Sequence, residues 1–587
     1  MSQSFNITCY YPAEKPQFFQ VEIDLKWIVS RLVKEIRLEL RSEFNVEIAH
    51  DIQLFKVCIT TQPREDRRFR ALQWLHQQRG ECLDDGDLLS SVFSTVPTSG
   101  SINIIVSDPE VSEMIDGLGD PVLLQQKKLR KDLGKRMDNL RLDYSPSDII
   151  VSAAKMRAVL EGDHTGFHIG RPSGAPPAIF SPALAALQKR LENLDDIEVS
   201  CLEVSKAAKY SADAIKFYSD DAERQAAVSE SLDEAIGQKG NWGMVLPWVD
   251  RIKPDCSWWH NDFLMMVLEL KNAMDITGNP ALQSALVFSK IISQEKYKSF
   301  REFCNFPIVL IGVAENRIDI YIGVCIGDIH VAKLLTLDVI YGFLASDNIV
   351  RLARVFAALS HCREDLAKYY DDVNNRKTTK LSSFFPNPTP VDPCQPLPTV
   401  VYKHFTARNG QPASVVGLGA ATTLLYIATL DDKEVIVKFT VRYNEKAHRI
   451  LATAGLAPEL HFCGRIVGGL YMVVMDRICG KFLWQLNQEK TPVPSFIVDQ
   501  VEQAVHLLHA ENIVFGDLRD NNIIYDASKE RAVLIDFDWP GMHGKTRYPA
   551  TLNTTGKWAD GVVQYAVMDK DHDLWQLDRL RDSCTLV

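Results

Sequence analysis

At 587 residues the chain exceeds the ~250 to 300 residues at which a single hydrophobic core stops growing, so three or more units are expected. A composition of 46% hydrophobic and 24% charged residues excludes a disordered or fibrous chain. The formal charge of −11 excludes coating of nucleic acid through bulk charge, so any phosphate-binding surface must be local.

The 12 cysteines are scattered, with no C-x-x-C pair, so neither a disulfide framework nor a zinc ribbon is indicated and a reducing place of action is expected. No stretch approaches the ~18 consecutive apolar residues of a membrane-spanning helix. The opening "MSQSFNITCYYPAEKPQFF" lacks the basic and apolar regions of a cleavable signal peptide.

In chain order, "SFNITCYYP" and "FFQVEID" alternate as strands do, and Ile28, Leu32 and Ile36 then recur at the spacing of one helix face. "DIQLFKVCI" and "SINIIVSDPE" supply later strands, which predicts a small α+β sheet over residues 1–110 of the β-grasp, ubiquitin-like kind. Residues 111–225 read as a helical spacer broken by "GRPSGAPPAIFSP". Within it "KKLRKDLGKR", Lys127 to Arg136, suits a nuclear import signal or a nucleic-acid contact, or else a solvated helix face above Leu129 and Leu133.

Residues 226–380 form the third unit. An approach strand carries Asp255 after Pro254; His260, Asn261 and Asp262 offer a turn; an apolar strand then returns to Glu269 and Lys271. Strand side chains alternate, so Glu269 and Lys271 face the same way, and the hairpin brings Asp255 towards them. Two carboxylates so placed suit Mg²⁺, a hard cation that takes oxygen ligands, and the ammonium can orient water or offset charge developing on a phosphate. The bland alternative is a surface ion pair at a strand end.

This hairpin resembles the PD-(D/E)xK nuclease core, with Pro254-Asp255 as "PD" and Glu269-Leu270-Lys271 as "ExK". The resemblance implies a restriction-endonuclease-like α/β core that cleaves DNA phosphodiesters with Mg²⁺ or Mn²⁺ held by Asp255 and Glu269. It also implies a glutamine from the next helix, for which Gln283 is placed, although Val287 stands where the family has an aromatic. A glutamate from the helix before the hairpin is implied too; Glu223, Glu230 and Glu234 are all available there.

Residues 381–399 contain "PNPTPVDPCQPLP", six prolines within thirteen residues, which predicts extended, semi-rigid chain at a domain boundary. In residues 400–587, Gly417 and Gly419 lie in a turn between strands and a following strand carries Lys438, a pattern that can hold phosphates. Further on, Asp517 stands five residues before Asn522, and "IDFDW" supplies Asp536.

The ordered set resembles the protein kinases and implies a two-lobed kinase-like domain that binds ATP. In that resemblance Lys438 is the phosphate-binding lysine, Asp517 the catalytic aspartate, and Asn522 and Asp536 the metal ligands. Glu445, which opens a helix just after the strand of Lys438, is the expected partner of that lysine. Phe515-Gly516 replaces the family's His-Arg, "DFD" replaces "DFG", Thr422 replaces the third loop glycine and no "APE" follows; a nucleotide-binding pseudokinase is the alternative.

Header, spacer, nuclease-like and kinase-like units together resemble a Crinkler-type effector, through "DIQLFKV", the closing "INIIVSDP" and the domain order. The resemblance implies a protein secreted without a recognisable signal peptide that enters host or competitor cells and acts on DNA, often in the nucleus. The kinase substrate would be a host protein or the chain itself. The alternative is a decayed effector that binds partners or nucleotide without catalysis.

Overall fold

A computed structural model describes residues 4–13, 16–44, 52–60, 67–77, 82–93, 101–108, 111–112, 137, 145–150, 152, 154–155, 167–169, 175–246, 249, 252–272, 280–301, 303–339, 345–375, 381–406, 424–553 and 556–584. The chain is a mixed α/β protein of two compact units, Met1–Lys128 and Leu129–Val587. The basic cluster from Lys127 to Arg136, and Gly417, Gly419 and Thr422, lie outside the described residues.

In the first unit the strands β1 (Ser4–Tyr11), β2 (Gln17–Asp24), β3 (Gln53–Thr60) and β4 (Ser101–Ser107) form a sheet of order β2-β1-β4-β3. Strands β1 and β4 are parallel and the other pairs antiparallel. On β2, Phe19, Val21 and Ile23 point inward at a period of two, as a half-buried strand requires. All seven residues of the inner strand β4 are buried. Helix α1 (Val29–Phe44) buries Val29, Leu32, Ile36 and Leu40. The inward face thus begins at Val29, whereas Ile28 is 43% exposed in front of the helix, where it bridges to Leu88. A further helix, α2 (Arg67–Gln77), precedes β4.

The second unit contains two large sheets. The first is six-stranded: β5 (Phe167–Ile169), β6 (Cys256–His260), β7 (Phe263–Lys271), β8 (Ile308–Ala314), β9 (Arg317–Ile326) and β10 (Asp328–Asp338), in the order β5-β10-β9-β8-β7-β6. Strands β6 and β7 make the expected hairpin, β7 runs parallel to β8, and β5, from the stretch read as a spacer, pairs in parallel with β10. Every residue of β8 and all but Lys271 of β7 are buried, so both read as continuous apolar runs rather than alternating ones. Helices α3 (Cys201–Ala214), α4 (Asp221–Ile236), α5 (Pro280–Ile292) and α6 (Ala345–Asn375) pack around it, with α5 crossing between β7 and β8.

The second sheet joins β11 (Val401–Phe405), β12 (Leu424–Leu430), β13 (Lys433–Thr440), β14 (Leu460–Ile466) and β15 (Leu470–Asp476) in the order β11-β12-β13-β15-β14. Helix α7 (Glu445–Thr453) follows β13; helices α8 (Ser495–Ala510) and α9 (Lys570–Ser583) build a second core with the loops between them. The proline-rich stretch is packed up to Pro390, where Val467 donates its N–H to the carbonyl of Thr389 (2.8 Å) and Asn387 donates to that of Ile179 (2.7 Å), and then turns through exposed residues, with Gln395 donating to the Asp392 carbonyl (3.1 Å). Phe385 stacks on Tyr402 at 5.7 Å, and one continuous core runs from the six-stranded sheet into the five-stranded one.

Candidate functional site

The hairpin places Asp255 one residue before β6. In the antiparallel register Cys256 faces Leu268, which sets Asp255 opposite Glu269. The Leu270 N–H donates to Asp255 Oδ2 at 2.7 Å and fixes that side chain. Glu269 is 1% exposed, and Gln283 Nε2 donates to its Oε2 at 2.6 Å. Gln283 reaches it because α5 starts almost on the sheet: a Cβ at Gly312, the β8 residue in register with Glu269, would stand 2.6 Å from the backbone nitrogen of Ala281. Asp255, Glu269 and Gln283 therefore meet at one end of the sheet.

The two carboxylates touch. As ions neither can donate to the other, and Glu269 Oε1 is left buried with no hydrogen-bond partner. Burial and the neighbouring Asp255 carboxylate push the Glu269 carboxyl well above its ordinary range. Burial also raises Asp255, against the Leu270 N–H and the Lys271 ammonium, which pull it down. A proton or a cation has to sit between them, and the oxygen donors fit a hard divalent cation.

Lys271 is turned aside from this pair: its Nζ lies 3.3 Å from Asp221 Oδ2 in the first turn of α4, and Asp221 Oδ1 accepts from the Asn272 N–H at 2.5 Å. The carboxylate that the preceding helix brings to the site is thus Asp221, and the three candidate glutamates are elsewhere. Glu223 is spent on the N–H and hydroxyl of Ser219, both 2.7 Å away. Glu234 pairs with Lys209 at 3.0 Å and Glu230 is exposed. Asp220 caps the helix, accepting from the Glu223 N–H at 2.8 Å. The buried Arg224 aims the helix: its guanidinium donates to Asn272 Oδ1 (3.0 Å) and to the carbonyls of Ala214 and Glu315 (both 2.8 Å).

The other expected site forms around Lys438, 4% exposed, in the last half of β13. Its Nζ contacts Asp536 Oδ1 at 2.5 Å and Asp538 Oδ1 at 2.6 Å. Burial works against the charge on this ammonium, but the two carboxylates outweigh it and hold its pKa above the ordinary value. The expectation for Glu445 is not met: Glu445 Oε1 accepts from Arg449 Nε at 2.7 Å, one turn along α7 and partly in solvent. The helix turns Ala447, His448 and Leu451 inward, and His448 is stacked on Phe537 at 4.4 Å and bonded to Tyr443 (2.6 Å) and the Pro458 carbonyl (2.9 Å).

Asp517 is 3% exposed and takes a two-pronged contact from Arg519, whose Nη2 lies 2.8 Å from Oδ2. Asn522 Nδ2 donates to the same oxygen at 2.9 Å, and the Ile535 N–H donates to the Asn522 carbonyl at 2.9 Å, which joins Asn522 to the residue before Asp536. Burial lifts the Asp517 carboxyl to about 6 against the pull of Arg519. The loop is clamped from α9 by Asp573, fully buried, which accepts from the N–H groups of Phe515 (2.7 Å) and Gly516 (2.8 Å), and by Gln576, which accepts from Leu518 (2.8 Å). Gly516 has φ +78°, and a Cβ there would lie 3.1 Å from Met568, which explains a glycine before Asp517. Asp573 is not distinguishable in sequence from a surface aspartate, and Asp538 stands out there only as the last residue of "DFD".

Residues 5–107 match the Crinkler effector protein N-terminal domain. The Crinkler match lies within the first unit, so both carboxylate sites fall outside it. Among solved structures the chain is similar to the kinase PK-1 of Cydia pomonella granulovirus, at 18% identity and a TM-score of 0.25. That match covers 28% of this chain and 64% of the viral kinase, less than two thirds of its length.

Proposed function

We propose that the chain is an effector with two enzymatic centres: a metal-dependent nuclease that cleaves DNA, built on a restriction-endonuclease-like core, and a kinase-like phosphotransferase. The Crinkler match supports the effector reading, and the N-terminal sheet order suits a β-grasp header. On this reading the protein is secreted and acts inside a host or competitor cell, in its nucleus.

One observation carries the nuclease reading: Glu269 Oε1 is buried without a partner against the Asp255 carboxylate. A Mg²⁺ or Mn²⁺ bound there would supply Lewis-acid stabilisation of the phosphate charge. Asp255 and Glu269 would hold it, and Gln283 keeps the Glu269 carboxylate aimed. Lys271, released from Asp221, orients the attacking water or offsets charge on the phosphate.

In the second centre Lys438 would meet the phosphates of a nucleotide and Asn522 and Asp536 would hold its metal, with Asp517 placed to accept the proton of the acceptor hydroxyl. The full chain incubated with linear and circular DNA in Mg²⁺ or Mn²⁺ tests the nuclease. Cleavage is expected to disappear with EDTA and in Asp255→Ala, Glu269→Ala and Lys271→Ala, and an inert wild type in both metals overturns the reading. Phosphate transfer from ATP is expected to vanish in Asp517→Ala; transfer that survives this change overturns the role given to Asp517.

A further inference from the structure

The surroundings of Lys438 explain why an aspartate follows Phe537. A buried ammonium needs a counterion in every state of the site. Lys438 has two, at 2.5 and 2.6 Å, and they are held differently. Asp538 Oδ2 accepts from Thr440 Oγ1 at 3.0 Å, so it is tied to the strand that carries the lysine. Asp536 has left-handed backbone, φ +69°, and follows Ile535, which is bonded to Asn522 in the catalytic loop. Asp538 is thus tied to the lysine's own strand, and Asp536 stands beside the catalytic loop, on the side of Asn522.

Helix α7 cannot supply a replacement without coming apart from its support. Asn444 caps it through the Ala447 N–H (3.0 Å) and donates its own N–H to the Phe537 carbonyl (2.9 Å) and its Nδ2 to that of Pro540 (2.9 Å). Arg442 Nη2 adds a bond to the Trp539 carbonyl at 2.9 Å. The helix start and the Phe537–Pro540 segment are bonded together, with Ala447, His448 and Leu451 inward and Glu445 turned to Arg449.

We propose that Asp538 is the positioning residue for Lys438, doing the work expected of Glu445, and that this leaves Asp536 for the metal of a bound nucleotide. The inference rests on the kinase-like reading of this centre. It makes the lysine's ion pair independent of any swing of α7: Lys438 stays aimed at the phosphates whether or not a nucleotide is bound.

The test is calorimetric binding of ATP to the full chain, with Mg²⁺ and with EDTA, beside steady-state phosphate transfer. Asp538→Asn is expected to weaken ATP binding about tenfold or more in both media and to raise KM more than it lowers kcat. Asp536→Asn is expected to lose only the Mg²⁺-dependent part, and Glu445→Gln to bind ATP like the wild type. Thr440→Val, which frees Asp538 without removing it, is expected to weaken binding about threefold and decides the matter if Asp538→Asn does not fold. Wild-type affinity in Asp538→Asn or in Thr440→Val, or a loss in Glu445→Gln equal to that in Asp538→Asn, overturns the proposal. A wild type that binds no ATP in either medium overturns the kinase-like reading along with it.

Discussion

The two centres of the second unit solve the problem of buried carboxylates in opposite ways. At the end of β7, Asp255 and Glu269 press together and the nearest ammonium, Lys271, is drawn off to Asp221. Around Lys438 each carboxylate already has a basic partner: Asp536 and Asp538 share the lysine, and Asp517 has Arg519. The first centre is short of positive charge, whereas the second is neutralised within itself. Buried like charges are costly and buried pairs are costly to break, so the two should respond differently to pH, to metal and to substitution.

The largest effect expected is separation of activities. Glu269→Ala should lower DNA cleavage by about 10³-fold or more while leaving phosphate transfer intact, and Asp517→Ala should do the reverse, measured on the same preparations. Loss of both activities from either change would mean that the centres are not independent.

Next in size is the scaffold of the second centre. Asp573→Ala removes a buried acceptor from two backbone N–H groups and from His509, at 3.0 Å, and should cost about 3 kcal/mol in denaturant unfolding. On the first centre, Gly312→Ala pushes a methyl into the backbone of α5 and should cost about 1–3 kcal/mol while separating Gln283 from Glu269. Metal affinity should fall with it, because the glutamate loses the donor that aims it.

The pH responses sharpen the contrast further. Raised carboxyls at Asp255 and Glu269 favour the folded state at low pH, where they hold protons, and that stability is lost as pH rises through their elevated folded-state values. Without metal the thermal midpoint should therefore fall towards alkaline pH, and the gain from Mn²⁺ should grow there. Glu269→Gln should raise the metal-free midpoint at pH 8 by about 2 °C and abolish the Mn²⁺ gain.

The smallest shift belongs to the paired centre. Phosphate transfer should rise with pH through about 6 as Asp517 deprotonates. Arg519→Ala, by removing the guanidinium that holds Asp517 down, should move that limb up by about one pH unit.

Much of this was legible in the chain because it is written in local patterns. The apolar runs of β7 and β8 announce buried strands, and a hairpin brings the Pro-Asp end of one strand beside the Glu-x-Lys end of the next; the one-residue register shift between Trp258 and Trp259, which sets Asp255 opposite Glu269, is not written in that pattern. The spacing from Asp517 to Asn522 holds within a single short loop, so it survives folding unchanged. Period-four counting was a residue out at Ile28, because exposure there is set by where the helix begins rather than by residue type.

What the sequence by itself determined is the inventory of acids and bases and their order along the strands, because side-chain alternation depends on near neighbours alone. Only the tertiary structure decided which of them pair. Asp221 rather than Glu223, Glu230 or Glu234 reaches Lys271, since Arg224 fixes the approach of α4. Asp538 rather than Glu445 reaches Lys438, since α7 is stitched to the Phe537–Pro540 segment with His448 inward. An ion pair is chosen by the angle at which two elements distant in sequence pack, and that angle is set by side chains other than the charges themselves.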